Sequence, residues 1–235
     1  MSQSRQNTAA LARSARRLLV GLLSAAALVA LLPARAADYE AGVHYEELLL
    51  PVAVTDPSRV EVVEMFSYMC VHCFNFDATV HQWSKSQPDD VVFRQVPAIF
   101  NKSWEAVAQG FYTAQLLGVG EQVHGPIFEA IHVKNQDVRS ASAMAALFKQ
   151  HAGVSTEDFN KAYKSFSVRS KVQQAARLVA QYRLGSVPSM IVNGKYRVEV
   201  RMAGGNTGML RVVEHLVEKE RAALAAAAAQ PAAGE

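Results

Sequence analysis

Hydrophobic and polar residues alternate along this chain in stretches that predict strands first, then helices, then strands again. The stretch 58–68 is rich in β-branched and aromatic residues and predicts a buried strand. Apolar residues follow at roughly helical spacing until Pro88, and the stretch 91–96 predicts a second strand. The first half of the chain therefore predicts a β-α-β unit.

The middle of the chain, 103–183, has helical character throughout, with polar caps and glycines that divide it into several helices. Helix starts are predicted at Ser103, Ser140 and Thr156, and helix ends near Gly118 and Gly153. We expect these helices to form a single insertion.

Strand character returns at Ser189–Val192 and at 195–200. Asn193-Gly194 separates the two, and this dipeptide is the one that a two-residue type I′ hairpin turn prefers. An apolar face over 209–217 then predicts a closing helix. Beyond this helix the segment 222–235 is almost all alanine and lacks apolar periodicity, so we expect a disordered tail.

This order of elements predicts an α/β protein: a thioredoxin-like fold with an inserted helical domain. The thioredoxin-like domain is expected in two parts, 37–102 and 184–221, with the helical domain at 103–183 between them. The composition agrees, because half of the residues are apolar and 19% are charged, as in an ordinary globular protein.

The first 36 residues have the pattern of a secretory signal peptide. Arginines precede an apolar run over 18–32, and Ala34-Arg35-Ala36 follows it, so cleavage is predicted near Ala36. A retained membrane anchor is the alternative, but the run is shorter than the roughly 20 residues that span a bilayer. We therefore expect an exported protein.

Removal of the leader changes the net charge. The leader holds five arginines and no acid, so 24 − 5 = 19 basic residues remain against 21 acidic ones, a net charge of −2. The rest of the chain has no dense patch of Lys and Arg interleaved with aromatic residues, which a nucleic-acid groove would need. No nucleic-acid partner is expected.

Two cysteines, Cys70 and Cys73, stand three apart where the first strand gives way to a helix. A C-x-x-C pair at a helix start is typical of thiol-disulfide exchange, since the helix dipole and free N–H groups favour the thiolate of the first cysteine. The dipole supplies at most about 2 kcal/mol, whereas lowering a thiol pKa by about three units requires about 4 kcal/mol. Other donors must therefore contribute, and His72 between the cysteines is the nearest candidate.

The two sulfurs are expected to differ in role. Cys70 is the predicted nucleophile, and Cys73, one turn into the helix, is predicted to be more buried and to resolve the mixed disulfide. The alternatives are half of a zinc site, a static structural disulfide, and a His72 that is merely a surface residue. No second cysteine pair exists to complete a zinc site, and neither a metal nor a cofactor is predicted.

The segment Glu64–Phe76, together with Val187-Pro188-Ser189 and 192–196, resembles the DsbA family of bacterial periplasmic disulfide oxidases. The resemblance covers nearly all of the chain after the leader in element order. It implies a strongly oxidising cysteine pair, a property of the family that spacing alone does not establish. One departure is Val71, where the best-known members have proline, and this leaves the redox poise open.

The resemblance also implies roles for three residues outside the cysteine motif. Pro188 would be cis and lie beside the cysteines, and Val187 would offer backbone groups to a substrate peptide. Base rates alone favour an ordinary trans proline, because about 5% of X-Pro bonds are cis. Glu64 would be a buried acid that assists proton transfer from Cys73; alternatively it lies with Glu61 on the polar face of the strand.

The predicted function is oxidation of reduced exported proteins in the periplasm, with Cys70 and Cys73 as the redox-active disulfide. A DsbB-like quinone-linked membrane oxidase is implied as the partner that regenerates the disulfide, and a monomer is expected. One alternative is a disulfide isomerase or reductase, whose relatives usually carry a dimerisation domain for which about 20 residues after Ala37 leave no room. Another is a non-catalytic peptide-binding module, which would not need a cysteine pair.

Overall fold

The computed structural model describes residues 39–229, so the predicted signal peptide over 1–36 lies outside the described residues. The strands within this range are β1 (Glu46–Glu47), β2 (Val60–Phe66), β3 (Val91–Pro97), β4 (Ser189–Val192) and β5 (Tyr196–Glu199). The helices are α1 (Val71–Lys85), α2 (Lys102–Leu117), α3 (Gly120–His132), α4 (Ala141–Ala152), α5 (Thr156–Tyr163), α6 (Phe166–Gln181) and α7 (Asn206–Ala229).

The strands form one sheet in the order β1-β5-β4-β2-β3. β2 pairs in parallel with β3, as the β-α-β unit requires, and antiparallel with β4, where Met65 lies opposite Ser189. The pairing of β2 with β4 joins the two halves of the thioredoxin-like fold across the helical insertion. It also brings the segment that precedes β4 to the same sheet edge as the cysteine pair.

The two faces of the sheet are covered by different helices. Val63 and Met65 of β2 pack with the inserted helices, whereas Val60 and Val62 pack in a second cluster with residues of α1 and α7. All seven residues of β2 are therefore buried, as expected for a central strand with helices on both faces.

The hairpin between β4 and β5 differs from the prediction by one residue. Asn193 and Gly194 both have positive φ, and the Lys195 N–H donates to the Val192 carbonyl at 3.0 Å, as a type I′ turn requires. The register pairs Val192 with Tyr196, however, so Lys195 is an extra residue in the connection. Its carbonyl accepts a hydrogen bond from the N-terminal segment instead of from β4.

The helix starts in the insertion are partly as predicted. The side chain of Asn101, not Ser103, caps α2, and that of Ser155, not Thr156, caps α5. In each case the earlier residue is extended, so its side chain reaches the free N–H groups of the first turn, which the predicted residue has already entered. The predicted start at Ser140 and the helix ends at Gly118 and Gly153 are confirmed.

The alanine-rich segment is helical up to Ala229, where a disordered tail was predicted from 222 onward. Alanine has the highest intrinsic helix propensity, so a helix already anchored by packing continues into it. The anchor lies just before the segment: the buried Glu220 carboxylate accepts hydrogen bonds from Lys195 Nζ at 2.6 Å and Asn193 Nδ2 at 2.5 Å. Residues 230–235 lie outside the described residues.

None of the helices between residues 39 and 229 combines the length and the apolar character needed to cross a membrane.

Candidate active site

Cys70 lies at the junction between β2 and α1, as the sequence predicts. It is the N-cap residue of α1 with extended backbone (φ −102°, ψ 115°), and its own N–H donates to the Ser67 carbonyl at 3.0 Å. No side chain caps this helix. The first-turn N–H groups, which usually bind a capping oxygen, are therefore left for the sulfur of Cys70.

Hydrogen-bond donors around the sulfur lower the pKa of the Cys70 thiol to about 6. The largest cause is the hydrogen bond from the Cys73 thiol; the backbone N–H groups of Cys73 and His72 add to it, while partial burial opposes the shift. At neutral pH Cys70 is therefore mostly thiolate, the form that attacks disulfides.

Cys73, unlike Cys70, is a protonated thiol. Its side chain is buried, and burial raises the pKa of its thiol well above the ordinary range. The neighbouring Cys70 sulfur and the charge of Glu64 raise it further. The thiol pair is thus strongly asymmetric, with one half-buried thiolate and one buried protonated thiol.

The segment before β4 completes the surroundings of Cys70. The Val187–Pro188 peptide bond is cis, and the Val187 carbonyl oxygen lies 3.5 Å from Cys70 Sγ. Both residues line a cleft of about 530 Å³, together with His72 and Arg201. The loop and His72 in the first turn of α1 thus border one open cleft, and Val187 of that cleft also contacts the Cys70 sulfur.

His72 is exposed and lines the same cleft. Its positive charge does favour the Cys70 thiolate, in the predicted direction, but this is the smallest of the named causes, after the backbone N–H groups. The sequence analysis named His72 as the nearest additional donor, but the Cys73 thiol lowers the Cys70 pKa more than His72 does. That donor depends on the helical turn that brings the two sulfurs together.

Glu64 is buried in the centre of β2, with 1% of its surface exposed. Burial raises the pKa of its carboxyl to about 7, the hydrogen bond from Gln95 Nε2 at 2.8 Å opposes the shift, and the nearby Asp77 charge adds to it. The alternative that Glu64 and Glu61 share a polar strand face is wrong, because both are buried. Glu61 instead forms a two-point ion pair with Arg94, at 2.9 and 3.1 Å.

A polar group between α1 and α3 was not predicted from the sequence. The Tyr68 hydroxyl lies 2.8 Å from His124 Nδ1, and His124 Nε2 lies 2.8 Å from Asp77 Oδ1. His81 follows Asp77 by four residues on α1, with Nδ1 at 3.4 Å from the same oxygen. The i,i+4 spacing of Asp77 and His81 is visible in the sequence, whereas His124 reaches them from α3 only through folding.

Comparison with known proteins agrees with this geometry. Residues 61–217 match the family model of the DSBA-like thioredoxin domain. The thiol:disulfide interchange protein DsbA of Pseudomonas aeruginosa is 40% identical over 206 residues, covering 88% of this chain and 97% of the relative. The DsbA of Azotobacter vinelandii is 41% identical over 187 residues, covering 80% of this chain and 87% of the relative.

Solved structures give the same result. The crystal structure of Pseudomonas aeruginosa DsbA superposes with a TM-score of 0.76 at 41% identity, covering 79% of this chain and 96% of that one. The oxidoreductase DsbA from Xylella fastidiosa superposes with a TM-score of 0.73 at 31% identity, covering 78% of this chain and 98% of that one. The chain therefore belongs to the DsbA family of thiol:disulfide oxidoreductases, on the thioredoxin-like fold that its element order predicts.

Proposed function

We propose that this protein oxidises reduced exported proteins by donating a Cys70–Cys73 disulfide through a mixed disulfide at Cys70. The observation that carries the proposal is the asymmetry of the pair: Cys70 is half-buried with a thiol pKa of about 6, whereas Cys73 is buried with a raised pKa. A substrate thiolate can reach only the outer sulfur. In the second step, when the mixed disulfide is resolved, the low thiol pKa of Cys70 makes it a good leaving group.

The oxidation of a substrate takes two thiol-disulfide exchange steps. A substrate thiolate attacks Cys70 Sγ, the bond between Cys70 and Cys73 breaks, and Cys73 leaves as a thiolate that takes up a proton. A second substrate thiolate then attacks the substrate sulfur of the mixed disulfide, and Cys70 leaves as a thiolate. The substrate loses two electrons and gains a disulfide, while the enzyme gains two electrons and ends with free sulfurs.

Glu64 has the properties of the proton donor to Cys73 in this scheme. Its carboxyl pKa of about 7 lets it hold or release a proton at neutral pH, and its charge acts on the Cys73 thiol. Val187 and Pro188 border the cleft, and the Val187 carbonyl oxygen lies 3.5 Å from Cys70 Sγ, so the Val187 backbone is suited to align an extended substrate segment beside Cys70.

The thiolate favours the reduced enzyme and so makes the disulfide more oxidising. A Cys70 pKa of about 6, against an ordinary 9.0, stabilises the reduced form at pH 7. Because the sulfur is only half-buried, solvent screening reduces the effect to about 1 kcal/mol, which is about 20 mV. This contribution supports an oxidase. The dipeptide between the two cysteines, Val71-His72, contributes to the rest of the reduction potential.

The proposal places the protein in the periplasm as a monomer, with a quinone-linked membrane oxidase of the DsbB type returning the disulfide. The signal-like leader supports export, and the family membership supports this partner class. The substrates are reduced proteins delivered to the same compartment.

Oxidative refolding of a reduced substrate by wild type, Cys70→Ser and Cys73→Ser tests the proposal. Cys70→Ser should lose oxidation and form no mixed disulfide, whereas the reduced Cys73→Ser variant, treated with an oxidised substrate, should accumulate one through Cys70. The reduction potential of the wild-type pair separates an oxidase from a reductase. A strongly reducing pair, or undiminished oxidation by Cys70→Ser, would overturn the assignment.

A further inference from the structure

Asp77, His81 and His124 bring three metal-ligating atoms together between α1 and α3. Asp77 Oδ1, His81 Nδ1 and His124 Nε2 all lie within 4.8 Å of one another. Asp77 Oδ1 is 2.8 Å from His124 Nε2 and 3.4 Å from His81 Nδ1. In a tetrahedral zinc site with bonds of about 2.0 Å, neighbouring ligand atoms lie about 3.3 Å apart, so small side-chain movements suffice to enclose an ion.

Within residues 39–229, the Nδ1 atom of His81 makes no hydrogen bond. It is shielded from solvent and has no hydrogen-bond partner, since 3.4 Å from Asp77 Oδ1 is at the limit of a hydrogen bond. A buried polar atom without a partner is costly, and a metal ion would satisfy it.

The ring of His124, the second imidazole, is already oriented by a hydrogen bond at its other nitrogen. His124 Nδ1 lies 2.8 Å from the Tyr68 hydroxyl, which holds the ring with Nε2 directed at Asp77. A hydrogen bond to the non-ligating nitrogen is the usual device that fixes the orientation of a metal-bound histidine. Tyr68 is itself buried against the aromatic core, so the ring is held by a rigid neighbour.

The site is accessible to ions. His81 and His124 both line a cavity of about 300 Å³ whose other walls include Gln115 and Glu121. The His81 side chain is 42% exposed, Asp77 22% and His124 12%. A divalent ion can therefore enter, and water or an external ligand can take a fourth position.

We propose that Asp77, His81 and His124 form a binding site for a transition-metal ion of the zinc class. Two imidazole nitrogens and one carboxylate are a ligand set that zinc accepts, and three protein ligands leave one coordination position open. The cysteine pair takes no part in it. The site is distinct from the thiol pair in its ligands and in the cavity that leads to it.

The test uses zinc titration of the oxidised protein by isothermal calorimetry, because a Cys70–Cys73 disulfide keeps the thiolates from binding zinc. We expect one Zn²⁺ per chain. His81→Ala and Asp77→Asn should each weaken binding by at least about tenfold. His44→Ala, which removes an imidazole outside the cluster, should leave the affinity unchanged. Substitution of Co²⁺ should give the absorption of tetrahedral coordination.

Three results would overturn the proposal: no stoichiometric binding by the oxidised wild type, an unchanged affinity in His81→Ala, or an equal loss in His44→Ala. His81 is the decisive position, because its partly exposed side chain can be removed without opening the core. Circular dichroism of each variant establishes that it is folded, and Asp77→Asn provides a second ligand change that preserves side-chain shape.

Discussion

Replacement of Glu64 by glutamine should change how the stability of the protein depends on pH. Compared with the wild type, the variant should be relatively more stable at neutral and alkaline pH than at acid pH. Glu64 is almost fully buried, and its pKa is raised from 4.5 to about 7, chiefly by burial. The folded protein therefore binds this proton more tightly than the unfolded chain does. The protonated Glu64 carboxyl contributes to the free energy of unfolding. This contribution is fully present below about pH 4.5 and is lost as the pH rises through about 7.

The size of the effect follows from the two pKa values. Their difference is 7 − 4.5 = 2.5 pH units, and each unit corresponds to about 1.4 kcal/mol, so the wild type loses about 3 kcal/mol in all. Glutamine carries no charge at any pH and avoids this loss. It still accepts the hydrogen bond from Gln95, but its own buried amide hydrogens cost about 1–3 kcal/mol at every pH.

The measurement is urea unfolding of the reduced wild type and Glu64→Gln at about pH 4 and about pH 8. The difference in free energy of unfolding should shift by about 3 kcal/mol in favour of the variant between these two pH values. The shift should be slightly smaller for the oxidised proteins, because the Cys70 thiolate that helps to raise the Glu64 pKa is then absent.

A matched control is Glu157→Gln, which removes one carboxyl from the exposed first turn of α5. It should not reproduce the shift. If Glu64→Gln and the wild type show parallel dependence on pH, the buried carboxyl does not titrate near neutrality, and the reasoning that makes Glu64 a proton donor to Cys73 fails with it.

Two further changes test the geometry of the site and of the fold. Ultraviolet titration of the reduced protein should find the Cys70 thiolate forming near pH 6, so this group by itself contributes stability that grows as the pH rises from about 6 towards 9, opposite in sign to the contribution of Glu64. His72→Ala should raise the Cys70 pKa only slightly, and a large rise would show that the imidazole charge outweighs the backbone and thiol donors. Gly194→Ala should destabilise the protein by more than about 1 kcal/mol in urea unfolding. The reason is that φ at Gly194 is +62° and the added Cβ would lie 1.9 Å from the Val52 carbonyl oxygen. An unchanged unfolding midpoint would mean that the turn can rearrange.

The sequence by itself determined the order of the elements and the position of the cysteine pair. Apolar periodicity, glycines and caps are local signals, so β2, the helix that follows Cys70, and the β4–β5 hairpin were predicted within a few residues of their bounds. The direction of the asymmetry followed as well, because Cys70 stands at the start of the helix and Cys73 one turn into it. Its size depends on the burial of Cys73, which is the largest cause of the raised pKa.

Tertiary structure decided what surrounds that pair. The Val187 carbonyl lies against Cys70 across 117 residues of sequence, and the burial of Glu64 depends on helices that cover both faces of β2. His124 reaches Asp77 from a separate helix, 47 positions further along the chain. Local sequence patterns carry no information on such contacts, because packing of distant elements places them, and burial then sets the pKa values on which the chemistry depends.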